Sequence, residues 1–351
     1  MTKANEIIYR IIEAAVDKGI KDIKYNPNRG LRNLLDLGNH FAKNGFQKNF
    51  FNIASQILND EKSPYYKLAY NIVKNVDPCI IKRFGINLGY NCWTYGVNKI
   101  REYEKKNGYK IPWNIVFYFE DKSENKLSIS QISDILDAAE SIGTYCAMFF
   151  IEKNIEELKS IISMLGKHKK SCYILFLQPE IISDEIASLI SSSHNIIVAI
   201  DTNNIENSSH CKNGAQILFD NKCLYGAYCA YDDSNLNYII SDNHLELIEE
   251  LHCSFAFFIN KSLNEIENKQ IYSKFINDSK YENKYSLLLI DFYEDLSNID
   301  RIISIEDCFF AIKSDGSIIT SKNDTLAKGL NIKTHSLNII LEKTLSKTQY
   351  I

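Results

Sequence analysis

The chain predicts an α/β fold, a partial or full (βα) barrel with a helical region before it and a small hairpin after it. Six short, nearly all-apolar runs recur between residues 114 and 259. Such runs are what strands of a parallel sheet look like when both faces are buried. Stretches with helical spacing of apolar residues separate the runs, which is the alternation of βα units. No Gly-x-Gly-x-x-Gly follows the first run, and this disfavours the doubly wound, dinucleotide-binding alternative.

Residues 1–110 read as helical. In "RNLLDLGNHFAKNGFQKNFFNIASQIL", Leu34, Leu35, Phe41, Phe50, Ile53, Ala54 and Ile57 fall on helical faces, with a break expected at Gly45. Ser63–Pro64 and Asp77–Pro78 are cap-plus-proline starts, and Lys105, Lys106 and Gly108 form a helix end. The barrel region, 111–290, holds the runs "NIVFYF", "TYCAMFF", "CYILFL", "NIIVAI", "LYGAYCAY" and "SFAFFI". Between them lie amphipathic segments such as "SISQISDILDAAESIG" and "NIEELKSIISMLGKHKK". The tail, 291–351, follows a further strand candidate in "SLLLIDFYED". It carries a hairpin, "FFAIKSDGSIIT", turning at Asp315–Gly316, and a last helix, "SLNIILEKTL".

A net charge of −4 argues against a nucleic-acid binder, which shows a basic face. No segment approaches the roughly 20 consecutive apolar residues of a membrane span. Glu6, Glu13 and Asp17 interrupt the start where a signal peptide is apolar. Nine cysteines without a paired framework suit reduced thiols. The expectation is a cytoplasmic protein with no membrane span and no nucleic-acid partner.

Cys211, Cys223 and Cys229, with His210, lack the close spacing of zinc ligands and read as structural. His252 beside Cys253 falls at the stability end of a barrel strand, not the catalytic one. Trp93 and Tyr95 of "NCWTYG" read as packing aromatics, and "KHKK" as a helix end. The strand C-termini, where barrels do their work, are polar: Glu120 and Asp121, then Glu152, Gln178, Asp201, Asp232 and Asp233, and Asn260. Either these are solvated strand ends or they form an acidic mouth for a cationic ligand, a divalent metal or a basic peptide.

Three segments, "DPCIIKRFGINLGYNCWTYGVNKIREYEKKNGYKIPW", "LSISQISDILDAAESIGTY" and "FFAIKSDGSIITS", resemble the radical SAM superfamily. The likeness is to members with a helical N-terminal extension and a C-terminal auxiliary-cluster region. That resemblance implies a barrel of the radical SAM type, using a [4Fe–4S] cluster and SAM. It also implies a C-x-x-x-C-x-x-C loop after the first strand, where this chain has Glu120, Asp121, Lys122, Ser123, Glu124, Asn125 and Lys126. The family's G-G-E-P is replaced by Phe150, Ile151, Glu152 and Lys153. Ile302, Ile303 and Ser321 stand where auxiliary-cluster cysteines would flank the hairpin. The resemblance therefore implies a degenerate, cluster-less member with no catalytic or metal-ligating residues and no cofactor. Its partner would be a peptide substrate or an active enzyme of the same pathway. The alternative is an enzyme of non-radical chemistry, using the acidic mouth with a bound metal or with SAM held without a cluster.

Overall fold

A computed structural model describes residues 3–42, 45–119, 125–206, 208–261, 271–272, 274–275, 278–279, 284–321 and 327–346. The first helices are α1 (Lys3–Tyr25), α2 (Pro27–Phe41), α3 (Gly45–Ile57) and α4 (Pro64–Asn75). Asn26 caps α2, accepting the Arg29 N–H at 3.0 Å, with Pro27 in the first turn. The break expected near Gly45 separates α2 from α3. Ser63 precedes α4, but its hydroxyl makes no capping bond and is buried without a partner. Pro64 is left to set that start.

From α5 (Pro78–Ile86) the chain passes through π-helical turns, Asn87–Gly96, into α6 (Val97–Asn107), and Gly108 ends the run at φ 81°. The sequence pattern did not announce the π stretch, which holds a function in packing. Asn87 Nδ2 donates to the Lys169 and Ser171 carbonyls at 3.0 and 2.8 Å, and Asn91 Nδ2 to the Lys170 carbonyl at 2.9 Å. Both asparagines are buried, so three carbonyls of one corner loop are satisfied from a neighbouring helix. Trp93 and Tyr95 pack against Trp113 and Tyr145 at ring distances of 6.2 and 6.0 Å.

The strands are β1 (Asn114–Phe119), β2 (Cys146–Ile151), β3 (Cys172–Leu177), β4 (Ile196–Asp201), β5 (Tyr225–Tyr231), β6 (Phe255–Asn260) and β7 (Leu288–Asp291). They pair in chain order and all are parallel. Helices α7 (Ile129–Ile142), α8 (Ile155–Leu165), α9 (Asp184–Ser193), α10 (Ser209–Asp220), α11 (Leu236–Ile239) and α12 (Asp242–Glu250) lie between them. After β7 comes α13 (Phe292–Ser304), then β8 (Phe310–Lys313), β9 (Ile318–Thr320) and α14 (Leu337–Thr344). The hairpin is part of the main sheet: β8 adds parallel to β1, and β9 pairs antiparallel with β8. The order β7-β6-β5-β4-β3-β2-β1-β8-β9 never reverses among the parallel crossovers. Crossovers of one hand then keep winding in one direction, so the sheet curls as a partial barrel. Among the described residues no helix is long and apolar enough to cross a membrane.

Side chains of the two sheet faces follow the period-two alternation of the strands. On one face Phe117 stacks on Phe149 at 4.6 Å, and Phe149 meets Tyr173 edge-on at 6.2 Å. Tyr225 lies on this face and donates to the Leu251 carbonyl just after α12, at 2.7 Å, which marks it as the helix-covered side. On the other face Tyr118, Phe150 and Phe176 stand in register on β1, β2 and β3, with stacking distances of 4.9 and 4.1 Å. Phe292, at the start of α13, packs edge-on against Phe150 at 5.5 Å and Phe176 at 5.7 Å. Four corners leading into strands use left-handed backbone: Gly143 before β2, then His194, Lys222 and His252 before β4, β5 and β6. Only the first is a glycine.

Below the sheet a polar knot joins α6 to α13. Glu104 accepts the Ile111 N–H at 3.0 Å and the Ser304 hydroxyl at 2.7 Å, and lies 3.8 Å from the Lys110 ammonium. Lys110 donates to the Ser304 carbonyl, and Arg101 donates to the Ile302 and Ile303 carbonyls at 3.1 Å each. The orphan carbonyls at the end of α13 are thus capped by Arg101 of α6 and by Lys110 just beyond it. Asp300, 3% exposed, accepts the Cys308 N–H at 3.1 Å. Burial pushes its carboxyl up to about 8, with Asp307 and Glu104 adding to the rise.

Two outcomes follow from this packing. At Gly96 an added methyl would lie 2.5 Å from the Gly143 carbonyl and 2.8 Å from that of Asn91. Gly96→Ala should therefore cost roughly 1–3 kcal/mol in chemical denaturation, the range for overpacking; an unchanged midpoint would contradict the close approach. Asp300 is neutral in the folded chain until about pH 8 but ionises near ~3.9 when unfolded. Its contribution is complete below the unfolded value and is lost as pH rises through the folded one. Asp300→Asn keeps an acceptor for Cys308, so it should flatten the fall in urea midpoint across this window. Parallel pH profiles for the two proteins would refute that account.

Candidate functional site

The strand C-termini gather around β3, β4 and β5. Gln178, just past β3, donates from Nε2 to Asp201 Oδ2 at 2.9 Å and to Tyr228 Oη at 3.1 Å. Asp201 ends β4 and is half-buried. Its Oδ1 accepts both the backbone N–H and the side-chain amide of Asn203, at 2.8 and 2.7 Å. Asn203 in turn accepts the Ala230 N–H at 3.0 Å, tying the end of β4 to β5. Register places Asp201 opposite Tyr228, on the face that carries Phe150 and Phe176. The Tyr228 hydroxyl is pushed up, first by burial and then by the Asp201 charge, so it stays protonated and hydrogen-bonds that carboxylate.

A single carboxylate is therefore held by neutral donors above an aromatic layer. Among the described residues no lysine or arginine pairs with Asp201. Held in this way, both of its oxygens are fixed in direction by the side chains around them. Tyr118, from the same face of β1, is likewise pushed up by burial and hydrogen-bonds Tyr293 of α13.

The structure does not unite the other strand-end residues with this cluster. Glu120 and Asp121 lie outside the described residues. Glu152 is exposed, its N–H directed to the Phe119 carbonyl at 3.3 Å. Asp232 accepts from the backbone and hydroxyl of Ser234 and lies 3.5 Å from Lys261. Those Ser234 bonds, with Lys261 behind them, hold its carboxyl below the usual range. Asp233 is exposed. Asn260 pairs in register with Tyr231, which belongs to the helix-covered face, and bonds its hydroxyl. Asp201 and Asp232 share no hydrogen-bond partner.

Tyr228, Asn203 and the aromatic layer were not singled out in the sequence. Their signal was present as period two: Phe150, Phe176 and Asp201 fall at alternate positions that share a face with Gln178. Cys211, Cys223 and Cys229 are buried, and burial pushes each thiol up. Two adjoining clefts of about 290 and 490 Å³ meet at Phe219, Tyr225, Glu250 and His252. They open at the N-terminal ends of β5 and β6, opposite the strand-end acids. His252 there stacks on Phe219 at 4.9 Å, and the Cys253 thiol is buried and pushed up by that burial. The Cys253 thiol is therefore not an activated nucleophile.

No family model and no curated protein matches the sequence. Among solved structures the chain is similar to native anSMEcpe with bound AdoMet, at 13% identity and a TM-score of 0.43, over 66% of this chain and 80% of that one. It is also similar to the tryptophan synthase alpha chain from Legionella pneumophila subsp. pneumophila, at 12% identity and a TM-score of 0.33, over 55% and 76%. The corresponding subunit from Legionella pneumophila str. Paris gives 10% identity and a TM-score of 0.32, over 60% and 92%. Likeness at these levels carries no statement about activity. The partial barrel stands on its own strand order.

The cluster around Asp201 makes an energetic prediction. Asp201→Asn turns an acceptor into a donor facing Gln178 Nε2, and should cost about 1–3 kcal/mol. Tyr228→Phe should cost less, and the double variant less than the sum of the two. Urea unfolding of the four proteins measures this, and strict additivity would show that the two groups do not act together.

Proposed function

We propose that the chain is a non-catalytic binding protein of radical-SAM-like fold whose mouth takes a peptide or partner through a cationic group, without a [4Fe–4S] cluster. The placement of the nine cysteines carries this reading. Cys146 and Cys172 are the first residues of β2 and β3, and Cys223, Cys253 and Cys308 precede β5, β6 and β8. Cys92 lies in the π-helical turns, Cys211 in α10, Cys229 inside β5 and Cys79 at the start of α5. None follows the C-terminal end of a strand in the loop where three thiolates would be needed, and residues 120–124 contain no sulfur. The residues present do not fit the cluster, and no chemical step is derived through it.

What the mouth does offer is the Asp201 carboxylate, without a paired cation among the described residues, at the rim above Phe150, Phe176 and Tyr228. A half-buried carboxylate at the rim suits the charged end of a lysine or arginine side chain. The family resemblance supplies the partner class, a peptide substrate or an active enzyme of the same pathway.

The reading has two tests. Anaerobic treatment with iron and sulfide should yield no stoichiometric cluster absorption and no SAM cleavage; a stoichiometric cluster would sink the non-catalytic reading. A peptide array comparing lysine- and arginine-bearing sequences with neutral ones should show retention of the cationic set. Asp201→Asn, assayed at a temperature where it remains folded, should lower that retention about tenfold or more, the weight of a charge-assisted contact. Equal retention of charged and neutral peptides would remove the mouth from consideration.

A further inference from the structure

A second cluster lies far from the mouth, where the helical region meets the lower corners of the sheet. A carboxylate oxygen of Asp77, the Cys79 sulfur and a ring nitrogen of His194 lie within 4.8 Å of one another. Asp77 is the N-cap of α5, and its Oδ1 accepts the Cys79 N–H at 2.7 Å, which fixes the carboxylate beside the thiol. The Asp77 N–H donates to the Lys222 carbonyl at 3.0 Å, fastening this cap to the corner before β5. His194 arrives from the corner before β4, in left-handed backbone at φ 63°. Its ring and the Cys79 sulfur have no hydrogen-bond partner among the described residues. Cys79 is also the one exposed cysteine of the nine.

We infer that Asp77, Cys79 and His194 form a binding site for a single zinc ion. Thiolate, imidazole and carboxylate together match the mixed sulfur, nitrogen and oxygen donors that zinc accepts, whereas calcium and magnesium require oxygen. Zinc bonds of about 2.0–2.3 Å set tetrahedral donors roughly 3.3–3.8 Å apart. The observed spacing is within about 1.5 Å of that range, so the three side chains need only a short approach to close on one ion. Three protein donors leave the fourth position to water on the exposed side. The ion would bridge the start of α5 to the α9–β4 corner, joining segments that are far apart in the chain. The spacing in sequence gives no hint of this, because His194 lies more than a hundred residues from the other two.

The test uses the full chain, reduced and stripped of metal, titrated with zinc and with cobalt(II) as a spectroscopic probe. One zinc per chain should bind and raise the melting temperature, as expected when a ligand binds only the folded state. Cobalt should give a near-ultraviolet thiolate charge-transfer band. Cys79→Ser should abolish that band and weaken zinc binding at least tenfold. His194→Asn, which tolerates the left-handed backbone, should weaken binding comparably without lowering the metal-free melting temperature. Absence of stoichiometric zinc, a band that survives Cys79→Ser, or unchanged affinity in His194→Asn would each overturn the site.

Discussion

A parallel sheet has to be buried on both faces, and the arrangement of the rest of this molecule follows from how that is done. Sequential crossovers place their helices along one side, where Phe117, Phe149 and Tyr173 meet. The opposite face must find its cover elsewhere. Part of it comes from within, through the row of Tyr118, Phe150 and Phe176, and part from α13, which inserts Phe292 against that row. The placement of α13 depends in turn on the knot at its far end, where Arg101 and Lys110 hold the last carbonyls of the helix and Glu104 accepts the Ser304 hydroxyl. The base of the barrel and the lining of its open face are thus one mechanical unit.

The same logic explains the division of labour between the two ends of the sheet. At the lower end, loops are tied down by side-chain amides and left-handed corners. Asn87 and Asn91 saturate the 169–171 loop, and Gly143 allows α6 to approach the turn before β2. Gly226 does a related service inside the sheet, since a side chain there would strike the Phe255 carbonyl at 2.2 Å. At the upper end Gln178, Asp201, Asn203 and Tyr228 also bond to one another, with a carboxylate in their midst.

The barrel was legible in the sequence because each buried strand is a compact apolar run and each connection repeats a helical period. The hairpin was legible through Asp315–Gly316, although its attachment to β1 was not, since pairing between distant segments leaves no local pattern. The π-helical turns were hidden for a different reason: a helix with one wider turn has nearly the same apolar spacing as a regular one. At the mouth, the strand ends included Gln178 and Asp201, which hydrogen-bond to each other. They also swept in Asn260, which the pleat turns to the other face, and Asp232, which Lys261 already neutralises. A reading by position along a strand finds the rim; only side-chain direction separates its inner and outer sides.

The edge of β1 has a consequence for how the chain assembles itself. Strands β1 to β7 each pair with the strand made just before, so this part of the sheet can grow in the order of synthesis, with short loops to close. The other edge of β1 must wait for Ala311 to reach Val116, after strands β2 to β7 have all emerged. Until then a nascent chain carries an unpaired hydrogen-bonding edge flanked by aromatic side chains, a ready template for another chain. The last forty or so residues therefore act as a latch on the vectorial folding of all those before them.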